Sequence, residues 1–280
     1  MKIAEHLDEL RRQGELLAVR ANQAGLVAAI PSCPSWQVKD LLRHTGYVHR
    51  WAARHITECP REVIDGPSET EILRGGATDP DLLDWFRAGH AALIETLSTA
   101  DPAVDCATFM AAPSPLAFWA RRQAHETAIH RADAERAAAT TPDYAPEFAA
   151  DGIDELITGF GARRKYQPQP QSQPQAAPAP GEGLLRVVTT DTGDAWSIEL
   201  RQGHLQPRRE TKAETGAEAG ADAANGARRQ DGAVCTVIGP ASGLYLYLWN
   251  RIGATEADIA TTGDPALLAS WLATVKVRWD

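Results

Sequence analysis

Long hydrophobic runs, paired cysteines and surplus positive charge are all missing from this 280-residue chain. No apolar stretch approaches the roughly 20 residues that a membrane-crossing helix needs. The start, Met1-Lys2-Ile3-Ala4-Glu5-His6-Leu7-Asp8, is charged and amphipathic where a secretory leader would carry an apolar core. The expectation is a cytoplasmic protein without membrane contact. Cys33, Cys59, Cys106 and Cys235 are scattered and form no C-x-x-C, so neither a zinc knuckle nor a dithiol redox site is indicated. They read as buried or incidental thiols, and any thiol chemistry would then draw its sulfur from a cofactor. A formal charge of -9 and the absence of a Lys/Arg run with interleaved aromatics argue against nucleic acid as a partner, because phosphate would be repelled at long range. There is no Gly-rich phosphate loop, no G-x-S-x-G elbow and no H-E-x-x-H, which removes the usual support for nucleotide binding, serine hydrolysis and ordinary metalloprotease activity.

What is present falls into two halves, as the length favours. Residues 4–30 read as a first helix with Leu7, Leu10, Leu16, Leu17, Leu26 and Val27 on its apolar side, ended by Ile30-Pro31-Ser32-Cys33-Pro34. Ser35 is placed to cap a second helix from Trp36, along which Trp36, Leu41, His44, Val48, Trp51 and His55 recur at helical spacing. A third helix is expected over about 80–97. A fourth, after Pro113 and Pro115, carries Phe118, Arg122, Glu126, Ile129, His130 and Asp133. A short helix over about 147–163 closes a helical half that spans 1–165. Four amphipathic helices with a long connection between the second and third predict a bundle.

A Gln/Pro-rich stretch at 166–182 has the composition of an extended linker. Residues 183–280 then predict a small α/β domain. Strands are expected at 184–190 and 196–200 around Thr192-Gly193-Asp194, with another at 233–238 and helices at 242–250 and 265–275. Between about 210 and 231 an Ala/Gly/Glu-rich segment lacks bulky apolar residues and reads as a disordered loop.

The chemistry concentrates in Arg121-Arg122-Gln123-Ala124-His125-Glu126-Thr127-Ala128-Ile129-His130-Arg131-Ala132-Asp133. Glu126 and His130 stand four apart and share a helix face. A carboxylate beside an imidazole can hold a divalent metal, and one further ligand from a neighbouring helix would leave a position open for water or substrate. His44, on an inward stripe, is the candidate for that third ligand. Each part has an ordinary reading as well, Glu126 and His130 as a helix charge pair and His44 as a satisfied core histidine. His49 and His125 fall off the inward stripes and read as exposed or supporting, and His55 is too far along its helix to join His44. Asp133, one turn beyond His130, can orient the free ring nitrogen. Arg121, Arg122 and Arg131 read as a solvated basic cluster, from which one arginine reaching inward would suit a carboxylate-bearing ligand.

The stretches 36–49 and 125–135 resemble the mycothiol-dependent maleylpyruvate isomerase family, as do Asp194-Ala195-Trp196-Ser197-Ile198, Gly239-Pro240-Ala241-Ser242, Leu246-Tyr247-Leu248-Trp249-Asn250-Arg251 and Thr262-Gly263-Asp264. The resemblance implies an N-terminal DinB-like four-helix bundle and a small C-terminal sterol-carrier-like α/β domain. It implies a divalent metal, zinc for a mixed nitrogen and oxygen donor set, on His44, Glu126 and His130, and mycothiol as the thiol cofactor. The implied activity is metal-dependent addition of that thiol to a small-molecule electrophile, such as a dicarboxylate, by a monomer or homodimer. Isomerisation and S-transfer fit this scheme equally. A metal-dependent hydrolase and a metal-holding thiol or small-ligand sensor without turnover are the competing readings. Arg251 is the candidate catalytic residue, a positive group for a substrate carboxylate at a cleft between the domains, although Asn250 stands before it where glycine is usual.

Overall fold

The computed structural model describes residues 1–163, 183–201, 204–211 and 233–275, which form two compact units that divide at Pro142/Asp143. The expected linker at 166–182 lies outside the described residues, as does nearly all of the expected loop at about 210–231.

Four long helices build the first unit: α1 (Ile3–Ala24), α2 (Val38–Glu58), α4 (Leu82–Thr99) and α5 (Pro115–Ala137), with a short α3 (Glu69–Arg74) between α2 and α4. Helix α1 packs on α5 and α4, and α2 packs on α4 and α5, which is the expected bundle. Ser114 caps α5 by accepting from the Ala117 amide, and Pro115 occupies the first turn, where its missing N–H costs nothing. An apolar cluster joins Leu17 and Ala21 of α1, Leu41 and Leu42 of α2, and Leu82 and Phe86 of α4.

The first helix ends earlier, and the second begins later, than the periodicity implied. Between them Ala29–Ile30 (β1) and Cys33–Gln37 (β2) pair as a small antiparallel hairpin, so Ser35 and Trp36 are strand residues and Gln37 is the N-cap. Asp40 supplies the cap carboxylate, accepting from the Gln37 amide at 2.9 Å. The paired prolines Pro31 and Pro34 mark the hairpin rather than a helix end alone.

Helix α5 differs from the others in kind. It is buried over almost its whole length from Leu116 to Glu135, so it has no polar face to reveal its orientation. The inward-stripe argument therefore fails there, and its polar side chains are enclosed whatever their phase.

The second unit begins with α6 (Pro146–Asp154), which runs on through a π-helical turn at Glu155–Gly161. This segment, expected to close the helical half, belongs to the C-terminal unit. Trp196 Nε1 donates to Asp154 Oδ1 at 2.9 Å, tying the segment to the sheet. The sheet has the order β5-β4-β3-β6-β7, with β3 (Gly183–Thr189) parallel to β6 (Ala233–Gly239) and every other pairing antiparallel. Strands β4 (Ala195–Arg201), β5 (His204–Arg209) and β7 (Ala260–Gly263) complete it. Two helices follow the crossover strand: α7 (Ala241–Leu248) and α8 (Pro265–Thr274). The Leu/Tyr alternation at 244–248 is helical as expected, with Leu244, Tyr245, Leu246 and Leu248 all buried. The chain is thus a helical bundle followed by a small mixed α/β domain. Among the described residues no helix is long and apolar enough to cross a membrane.

Candidate metal centre

Helix α2 contributes His44 and helix α5 contributes Glu126 and His130, and all three are at least 95% enclosed, with exposures of 1%, 5% and 1%. Glu126 Oε1 lies 3.4 Å from His44 Nε2 and 3.2 Å from His130 Nε2, and the three ligand atoms fall within 4.8 Å of one another. The structure therefore brings together the three residues singled out in the sequence.

Protons decide how these contacts are read. His130 Nδ1 sits 2.9 Å from Asp133 Oδ2. A carboxylate oxygen only accepts, so the shared proton is assigned to Nδ1. As a metal ligand, with Nε2 unprotonated, His130 would turn its lone pair towards Glu126 Oε1, and a cation between the two acceptors would hold them at 3.2 Å. Ligands about 2.0–2.2 Å from a tetrahedral ion would be separated by about 3.3–3.6 Å, close to the observed 3.4 and 3.2 Å. The donor set fits a divalent ion.

The surroundings hold that arrangement. In the metal-free protein the same contacts are hydrogen bonds: burial acts to raise the pKa of Glu126, but the hydrogen bonds from His130 and His44, with the charges of His130 and Arg122, overcome it and hold the carboxyl well below its usual range. Arg122 Nη2 donates to the other oxygen, Oε2, at 2.9 Å. Ser32, in the hairpin turn, donates to Asp133 Oδ1, leaving Oδ2 for His130. The Trp36 ring lies 5.1 Å from the His44 ring and 6.3 Å from the His130 ring, closing one side with an apolar wall. The hairpin thus supports the site at two points, and nothing in helical periodicity pointed to it.

Several neighbours sit differently from expectation. His49 and His125 are fully buried. His49 Nε2 lies 2.9 Å from Thr127 Oγ1, whose own proton goes to the Gln123 carbonyl, so His49 is the donor in that bond. Burial, then the neighbouring His90, push its pKa well below the usual imidazole value, making it a neutral core histidine. His55 is likewise structural, donating from Nδ1 to the Trp51 carbonyl and accepting the Ile64 amide at Nε2. Arg122 and Arg131 are buried, so the expected surface basic cluster does not exist; Arg131 pairs instead with Glu135 at 3.5 Å.

In the second unit Arg251 is half-buried and donates from Nη1 to the Trp249 carbonyl at 2.7 Å. Asn250 before it has φ +60°, a left-handed conformation that glycine adopts freely and asparagine tolerates better than most residues.

Residues 7–135 match the family model described as the mycothiol maleylpyruvate isomerase N-terminal domain, and residues 147–270 match that of the MDMPI C-terminal domain. The chain belongs to the mycothiol-dependent maleylpyruvate isomerase family. A crystal structure of the mycothiol-dependent maleylpyruvate isomerase superposes with a TM-score of 0.60 at 13% identity, covering 94% of this chain and 93% of that one. A histidine-to-alanine variant of that enzyme gives 0.60 at 12% identity over the same shares. At such identities the likeness to these structures is one of fold. No curated protein matches the chain.

Proposed function

We propose that this member of the family uses a divalent metal held by His44, Glu126 and His130 to activate a low-molecular-weight thiol, mycothiol, for addition to an electrophilic small molecule. The observation that carries the reading is the convergence of His44 Nε2 and His130 Nε2 on Glu126 Oε1, with His130 Nδ1 held by Asp133, a donor set that suits a divalent cation. Zinc suits two imidazoles and one carboxylate, though other first-row ions share that preference. When bound, the ion would supply a Lewis acid that lowers a thiol pKa or stabilises an enolate.

The residues of the chain do the rest. Asp133 fixes the His130 tautomer and ring orientation, and Ser32 holds Asp133. Arg122 offsets the charge of the buried Glu126. Trp36 and the enclosure of the site keep the donors in a low-dielectric setting, where their electrostatic effect exceeds that in water. In the isomerase chemistry, thiolate sulfur adds to an activated cis double bond, giving a carbanion delocalised as an enolate. Rotation about the new single bond and expulsion of the same thiolate restore the double bond as trans. No atom is gained or lost. In S-transfer the carbanion is protonated instead and the thioether is the product.

The test is turnover of maleylpyruvate and related electrophiles by metal-loaded protein with and without mycothiol. Turnover should fall to background without the thiol. Turnover that persists unchanged would reject the thiol-dependent reading in favour of a hydrolase, and binding without turnover of any electrophile would favour a sensor.

Arg251 is the proposed contact for a substrate carboxylate, supported by its half-buried guanidinium and its place in the matched C-terminal segment. A lost charged hydrogen bond of about 1.5–3 kcal/mol corresponds to a fall of roughly 10- to 100-fold in kcat/KM for Arg251→Ala. Metal content should be unchanged. Wild-type kinetics with every active substrate would remove Arg251 from the site.

A further inference from the structure

Glu126 has two oxygens and the structure treats them differently. Oε1 faces both histidine Nε2 atoms, while Oε2 accepts from Arg122 Nη2 at 2.9 Å. Arg122 lies one turn before Glu126 on α5 and is only 3% exposed, so its charge-assisted bond is shielded from competing water. A carboxylate facing a cation can bind through one oxygen or chelate through both, and nothing intrinsic to glutamate selects between them. We propose that Arg122 makes the selection: it withholds Oε2 from the metal, keeps Glu126 monodentate, and so preserves an open coordination position for an exogenous ligand.

Two effects act together. The bond to Nη2 occupies the oxygen that chelation would need. The buried guanidinium also places like charge on the Oε2 side of the carboxylate, which disfavours a cation drifting towards it. Without Arg122, the carboxylate is free to rotate and chelate, so the position that a thiol would take is filled by the protein itself. Arg122 is in this sense a positioning residue acting through Glu126.

This inference rests on the three-residue metal site proposed above. Its test uses full-length protein loaded with Co(II), whose visible ligand-field absorption is intense in four-coordinate geometry and several-fold weaker in five- or six-coordinate geometry. Wild type should show the intense spectrum. Arg122→Met, which keeps volume but removes the donor and the charge, should lose several-fold in absorptivity at equal cobalt stoichiometry, and Arg122→Lys should restore most of it. A role confined to stability would leave the spectrum of the bound ion unchanged. If wild type gives the four-coordinate spectrum and Arg122→Met superposes on it, the role of Arg122 is refuted while the metal site stands. Failure of wild type to bind Co(II) at all would overturn both. Should Arg122→Met lose its helical circular dichroism, Arg122→Gln, too short to hold Oε2 from the same backbone position, carries the same expected loss and the same refutation.

Discussion

His130→Ala protein, purified under mild conditions, is expected to carry little divalent metal where wild type carries about one ion per chain, as a three-ligand site with one open position implies. Truncation removes an imidazole whose orientation is fixed by Asp133 at 2.9 Å and whose Nε2 stands 3.2 Å from Glu126 Oε1. Two donors then remain on different helices. Loss of an outer hydrogen-bonding partner alone costs 10- to 100-fold in metal affinity, so loss of the ligand should exceed about 100-fold. Elemental analysis of matched preparations reads the result. His55→Ala is the control, because His55 is a buried histidine of α2 whose nitrogens are taken up by the Trp51 carbonyl and the Ile64 amide. It should retain the metal. Equal stoichiometric content in His130→Ala and wild type would sink the ligand assignment.

The parts of this site that were legible in the sequence are those that helix geometry fixes locally. Glu126 and His130 share a face at any four-residue spacing, and Asp133 follows one turn beyond His130, so both relations appear before any tertiary structure is known. His44 was reachable because α2 is strongly amphipathic and its inward stripe is readable. Helix α5 offered no such stripe. Its enclosure is set by packing from several sides, and the chain encodes it only as small residues, Ala120, Ala124, Ala128 and Ala132, that let neighbours approach. That is why His125 and Arg122 read as outward groups and are buried. Trp36 and Gln37 fell to a helix because Trp36 is in phase with the α2 stripe, whereas Pro34 and the backbone pairing with Ala29–Ile30 impose an extended strand over Cys33–Gln37. In the second unit, β5 and β7 escaped notice because their side chains are largely exposed, Ala260–Gly263 entirely so, and an edge strand with no buried face has no alternation to detect.

The misreading of Arg122 has an energetic counterpart. In metal-free protein, Glu126→Ala should destabilise the fold by about 3–5 kcal/mol, the range for breaking a buried ion pair by removal of one partner. The cause is the buried guanidinium: Arg122 is 3% exposed and loses the carboxylate it meets at 2.9 Å. A surface arginine would relax into water at little cost. Adding Arg122→Met to Glu126→Ala removes the buried charge at nearly constant volume, so the double variant should recover part of the loss and be more stable than Glu126→Ala alone. Denaturant unfolding in excess chelator provides the comparison, since a bound ion would otherwise add its own contribution to the wild type. The sign of the interaction across the four proteins is decisive. If Arg122→Met fails to rescue Glu126→Ala, the pair does not account for the cost of losing the carboxylate. Recovery would show that two groups needed for the site are also mutually dependent for burial, so that neither can be changed alone without exposing the charge of the other to the core.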